Sequence, residues 1–184
     1  MTLPGVQVEP PVNEANIANI HSINPRQDGG LEISLDTVRR RVVSGRPDDP
    51  AIQQLLVYAL RGYYNSGIRL DSLALLKNRA QDEAIRAALV QALRTDRNPG
   101  VRLKALESLR GFEADAGVRQ ALLEVVRRDS NPAVRMEAID QLAKQRDPGV
   151  ITTLQQLAEG DPNNYIRMKS AKRLREWNAP VEVY

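Results

Sequence analysis

From the middle of the chain to its end, apolar residues return in two interleaved helical registers. In one, Ile68, Val101, Val134 and Ile166 recur at intervals of 33, 33 and 32 residues, each followed by an arginine: Arg69, Arg102, Arg135 and Arg167. Four places on stands a small residue (Ser72, Ala105, Ala138, Ser170), and at plus five come Leu73, Leu106, Ile139 and Ala171. Leu76, Leu109, Leu142 and Leu174 complete the set at plus eight. Positions so spaced lie on one face of an α-helix. The other register leads with Ile52, Ile85, Val118 and Val150 and continues with Leu56, Leu89, Leu122 and Leu154. Each lead residue follows a short polar residue by three places: Asp49, Asp82, Asp115 and Asp147 in one register, Asn65, Asn98, Asn131 and Asn163 in the other. Such side chains accept from the free amides of a first helical turn. Pro50, Pro99, Pro132 and Pro148 follow directly, where a missing N–H costs nothing.

This pattern predicts an all-α solenoid of about four helix pairs, none of which could bury its apolar face alone. The expected repeats run over about 49–79, 82–111, 115–145 and 147–177, within a domain spanning 48–177 and ahead of a 178–184 tail. The start of the chain differs. Residues 1–16 are proline-rich and aperiodic, which suggests a tether, and 17–47 form a short β segment. Within it, Leu31–Leu35 alternates apolar and polar residues after a run of turn formers, and Val38–Ser44 is β-branched and basic. A hairpin or a three-strand meander fits. Either would be marginal alone, so packing on the first repeat is expected.

The stretch Asp96-Arg97-Asn98-Pro99-Gly100-Val101-Arg102-Leu103-Lys104-Ala105-Leu106 resembles the second helix of HEAT repeats, as do the stretches from Asp129 and from Asp161. The resemblance implies an Asp–Arg ladder between neighbouring repeats, pairing Asp96 with Arg102, Asp129 with Arg135 and Asp161 with Arg167. Tyr63 stands where the aspartate before Arg69 would be, which implies a ladder broken at the first repeat. In HEAT arrays the second helices line the concave face. There Leu70, Leu103, Met136 and Met168, with the neighbouring Lys104, Glu137 and Lys169, would form a peptide groove. Packing between repeats is the structural alternative for the same apolar positions. The run LEISLDTVRRRVVSG, continuing into DDPAIQQLLVYALR and NSGIRLDSLALLKN, also resembles the extracytoplasmic HEAT-repeat module of bacterial zinc-finger-type anti-sigma factors. That resemblance implies a sensory or partner-binding role outside the cytoplasm, in a protein anchored through a membrane helix.

Composition narrows the chemistry. The chain has no cysteine and one histidine, His21, which removes thiol nucleophiles, thiolate metal sites and two-histidine zinc sites. Neither G-x-G-x-x-G nor G-x-x-x-x-G-K-[ST] occurs. The acidic pairs Asp48/Asp49 and Asp82/Glu83 read as helix caps, so no catalytic residue, metal site or cofactor is expected. No run is long and apolar enough to span a membrane.

A net charge of +3 and a basic last helix (Arg167, Lys169, Lys172, Arg173, Arg175) raise contact with an anionic surface. Seven aromatics in the whole chain are few for base stacking, so no specific nucleic acid is expected. A HEAT protein of the alkylpurine DNA glycosylase type would need an aromatic-lined basic cleft. The leading reading is a non-enzymatic module for a protein or peptide partner. The alternatives are a nucleic-acid-binding HEAT protein and, if Met1 is the native start, a cytoplasmic HEAT scaffold.

Overall fold

The structure is a computed structural model that describes residues 17–25, 27, 29–38 and 42–179. The expected 1–16 tether, the Arg39–Arg41 run and the end of the tail at 180–184 lie outside the described residues. The chain divides into two compact units, which meet in sequence between Ser44 and Gly45.

The first unit holds an antiparallel hairpin of β1 (Ile17–Pro25) and β2 (Leu31–Thr37). Ile20 pairs with Leu35, Ile23 with Ile33 and Pro25 with Leu31, and irregularities interrupt the register between Ile17 and Ser22. Gly29 takes a positive φ of 83° in the connection, a conformation glycine adopts without steric cost. His21 Nε2 lies 2.8 Å from Asp36 Oδ2 across the strands. Of the two alternatives expected, hairpin or three-strand meander, the structure gives the hairpin. Val38 and Val42–Ser44 carry no ladder bonds, so no third strand is present among the described residues.

The second unit is a stack of helical hairpins. Its described helices are α1 (Pro50–Gly62), α2 (Ser66–Leu76), α3 (Glu83–Thr95), α4 (Pro99–Ser108), α5 (Ala116–Arg128), α6 (Pro132–Leu142), α7 (Pro148–Gly160) and α8 (Asn164–Glu176). Each of the eight begins at a capping Asp or Asn with extended backbone. Asp82 Oδ1, for example, accepts from the amides of Ala84 at 2.8 Å and Ile85 at 3.0 Å. Odd-numbered helices form one layer and even-numbered helices the other, with α1·α3·α5·α7 and α2·α4·α6·α8 in successive contact.

The core sits between the layers. Leu73, Leu76, Leu89, Leu93, Leu106, Leu122, Ile139, Leu154 and Ile166 are fully buried, nearly all at the register positions read from sequence. The odd helices owe this to a narrow apolar stripe with charge opposite. The first repeat is less covered. α1 has one fully buried residue, Leu60, where α3 and α5 have five each.

Candidate functional site

The second-helix arginines occupy the seams between repeats. Arg102 Nε and Nη2 donate to both carboxylate oxygens of Asp129, each at 2.7 Å, while Nη1 donates to the Asp96 carbonyl at 2.8 Å. Arg69 repeats this arrangement, with Asp96 at 2.7 and 2.8 Å and the Tyr63 carbonyl at 2.6 Å. Arg135 binds Asp161 through both terminal nitrogens, and its Nε donates to the Val126 carbonyl at 2.8 Å. The pairs implied by resemblance are therefore displaced by one repeat. Each arginine meets the aspartate of the next repeat, and where it reaches its own turn it uses the backbone carbonyl.

That geometry also moves the break in the ladder. A carbonyl serves whatever the side chain, so Tyr63 does not interrupt the ladder and Arg69 is a full member. Arg167 is the exception. Its Nη1 holds the Asp161 carbonyl at 2.7 Å, but no carboxylate meets it among the described residues. The ladder aspartates also shape the turns they occupy. Asp96, Asp129 and Asp161 each terminate an odd helix. Each also accepts through Oδ1 from the amide two residues on, at 2.8 Å.

A second ladder, unforeseen from sequence, joins the odd helices. Arg86 Nε donates to Asp115 Oδ2 at 3.1 Å, and Arg119 pairs with Asp147, so the capping aspartate of one helix receives the arginine of the helix before it. The signal was present as an arginine directly after Ile85 and Val118. Gln53 stands at the equivalent place in the first repeat, so this ladder crosses the second and third seams and is missing from the first among the described residues.

The residues proposed for a concave groove divide by environment. Leu70, Leu103 and Met136 are partly buried against the core, and Met168 is 60% exposed. Their charged neighbours are engaged with one another. Glu107 accepts from Lys104 at 2.7 Å and from Lys77 of the preceding repeat, and those two hydrogen bonds hold its carboxyl down at about 2. Arg110 reaches Glu137 at 2.8 Å. Asp140 receives Lys169 at 2.6 Å and Arg173 at 2.8 Å, and although burial opposes it, these partners keep the Asp140 carboxyl below its usual range. Much of the basic character of α8 is thereby paired within the protein.

The open surface lies elsewhere. Tyr63 and Tyr64 stack with ring centroids 4.9 Å apart, and Tyr64 is 86% exposed. They border a groove of about 790 Å³ between the first and second repeats, which Arg61, Gln91 and Arg97 also line. Leu55, Tyr58, Ile68 and Leu75 of the same repeat are exposed as well. Among the described residues no group of three or more His, Cys, Asp or Glu could hold a metal ion, and no helix is long and apolar enough to cross a membrane.

Stacked antiparallel helix pairs, sealed at each seam by side chains from neighbouring repeats, define an α-solenoid. Residues 86–175 match the family model of HEAT repeats, a type of structure that commonly serves as a protein-interaction scaffold. The match begins inside the second repeat, yet α1 and α2 share its capping and its Arg69–Asp96 seam and extend the same architecture. No curated protein and no solved structure matches the chain.

Proposed function

We propose that this chain is a non-catalytic protein-binding module that engages its partner through the first repeat. The carrying observation is the exposed, stacked Tyr63–Tyr64 pair on a groove between repeats, in a repeat that also exposes Leu55, Tyr58, Ile68 and Leu75. Stacked tyrosines offer wide contact area at low entropic cost, and Arg61 and Arg97 beside them favour an acidic or carbonyl-rich segment. The pairing of Lys169 and Arg173 with Asp140 speaks against the nucleic-acid reading, since a phosphate backbone needs free cations.

A photo-crosslinking residue at position 64 tests this. One discrete protein adduct is expected, lost when Tyr63→Ser is added and absent when the same probe sits at Arg128, at the end of α5 two repeats away. Duplex DNA is expected to bind no tighter than the non-specific range of about 10⁻⁴ to 10⁻⁶ M at physiological salt. Adducts indifferent to probe position, or tight DNA binding that falls steeply with salt, overturn the proposal.

The finer reading is that the module is the extracytoplasmic partner-binding part of a membrane-anchored anti-sigma protein. Its support is the resemblance of the segment from Leu31 to Gly45, and of the helices after it, to that class. The natural reading frame upstream of Met1 decides it. A Cys/His cluster followed by about 20 apolar residues is expected, and a frame lacking both sinks the attribution.

A further inference from the structure

Arg167 is built like a ladder arginine that meets no carboxylate among the described residues. Its Nη1 donates to the carbonyls of Asp161 at 2.7 Å and Pro162 at 3.3 Å. The same two carbonyl positions hold Arg102, through Asp96 at 2.8 Å and Arg97 at 3.4 Å, and Arg69, through Tyr63 and Tyr64. In those two cases Nε and Nη2 then grip both oxygens of an aspartate from the following repeat. At Arg167, Nη2 reaches only Asn164 Oδ1, at 3.2 Å, among the described residues.

Among the described residues the apolar cover is missing at the same place. Leu70, Leu103 and Met136 pack against the core, but Met168, their counterpart beside Arg167, is 60% exposed. Tyr165, where the other repeats carry Gly67, Gly100 and Ala133, is 71% exposed. An oriented guanidinium flanked by uncovered methionine and tyrosine is one half of a seam between repeats.

We propose that Arg167, Met168 and Tyr165 form a docking site for another polypeptide that presents an aspartate at the end of a helix, in an Asp-X-Asn turn. The chemistry of the occupant is displayed by the chain itself. Asp96, Asp129 and Asp161 all stand in Asp-X-Asn, and all accept from the amide two residues on, which points the carboxylate across the seam. Charge complementarity selects an acidic turn, and a guanidinium fork selects a carboxylate presented bidentately. A second copy stacked in the same register is excluded as the occupant, because its first repeat offers Tyr63 in place of the aspartate. The site lies on α8, in a different repeat from the Tyr63–Tyr64 groove, so either proposal can fail without the other.

The test titrates the full chain with a stapled helix–turn–helix peptide carrying the sequence of residues 115–145, whose turn presents Asp129. Binding is followed by fluorescence and by side-chain NMR of the arginine Nε–H groups and methionine methyls. Saturable binding is expected, with shifts at Arg167 and Met168. The Asp129→Asn peptide should bind at least about tenfold more weakly, the loss expected for a charged hydrogen bond. Arg167→Gln in the protein should erase that difference, and Arg167→Lys should restore only part of it. Absence of binding up to about 1 mM, equal affinity for the two peptides, or saturation without a shift at Arg167 overturns the proposal. A chain ending at Ala179 supplies the last control. If its Arg167 Nε–H loses a hydrogen-bonded signature that the full chain shows, residues 180–184 fill the site and the proposal fails.

Discussion

At the scale of single residues, the seams are stabilised by charges almost removed from water. The side chains of Arg102 and Asp129 are 10% and 4% exposed, and every donor of the fork that faces the aspartate is used. Such a pair adds little over well-packed apolar residues, but removing one partner strands the other. Asp129→Ala is therefore expected to cost about 3–5 kcal/mol, read as a fall in the urea midpoint with unchanged slope. Glu107 gives a pH signature. Its carboxyl is held near 2 in the folded protein by Lys104 and Lys77, below its unfolded value. The stabilisation it contributes is full above the unfolded pKa and fades as pH falls through the folded one. Between pH 4.5 and 2 the parent should lose melting temperature more steeply than Glu107→Gln, and parallel profiles would refute this. The identity of the ladder residues was legible in the sequence, since Arg and Asp recur on the repeat. Their partners were not. The resemblance to HEAT repeats implied pairs six residues apart within one repeat, whereas the carboxylate comes from 27 residues downstream, across a seam visible only once the repeats are stacked.

At the scale of elements, capping decides where helices begin, and two otherwise similar caps separate the cap from the seam. Asp82 and Asp115 each accept from two first-turn amides. Asp115 in addition receives Arg86, while Gln53 stands where an arginine would have to come from for Asp82. Asp82→Ala is expected to cost about 1 kcal/mol. Asp115→Ala should exceed it by up to about 1 kcal/mol, the range for a partly exposed pair, as measured by chemical denaturation. Equal losses would mean that the Arg86 contact contributes nothing. The helices were readable because apolar period and cap agreed at every start, with a proline added at four of the eight described helices. The β segment was only half readable. Alternation over Leu31–Leu35 located β2, but of the stretch after it, which has the composition of a strand, the described residues Val38 and Val42–Ser44 pair with no neighbour. Propensity describes a residue's fit to a sheet, and the ladder needs a neighbour.

For the molecule as a whole, a solenoid's stability is a sum over repeats and seams, so position along the array governs local opening. Inner repeats share two seams and carry two ladders, and outer repeats lack at least one of these. Amide exchange should therefore be slowest in α3 to α6 and faster in α1, α2 and α8. The same additivity fixes how far damage travels. Leu106 is fully buried at the centre of the array, and truncating it to alanine removes about 2–5 kcal/mol. Because α4 packs on both α2 and α6, Leu106→Ala should quicken exchange in both directions from the site. Leu174→Ala removes the same atoms from α8, which has a seam on one side only among the described residues, and its effect should stay within α6, α7 and α8. Uniform acceleration across all eight helices in both variants would mean that the array opens as one cooperative unit. In that case a partner docked at either end would stabilise every repeat equally. If opening is graded instead, a partner on α8 protects the last repeat first, and exchange in α7 and α8 becomes a direct reporter of occupancy at Arg167.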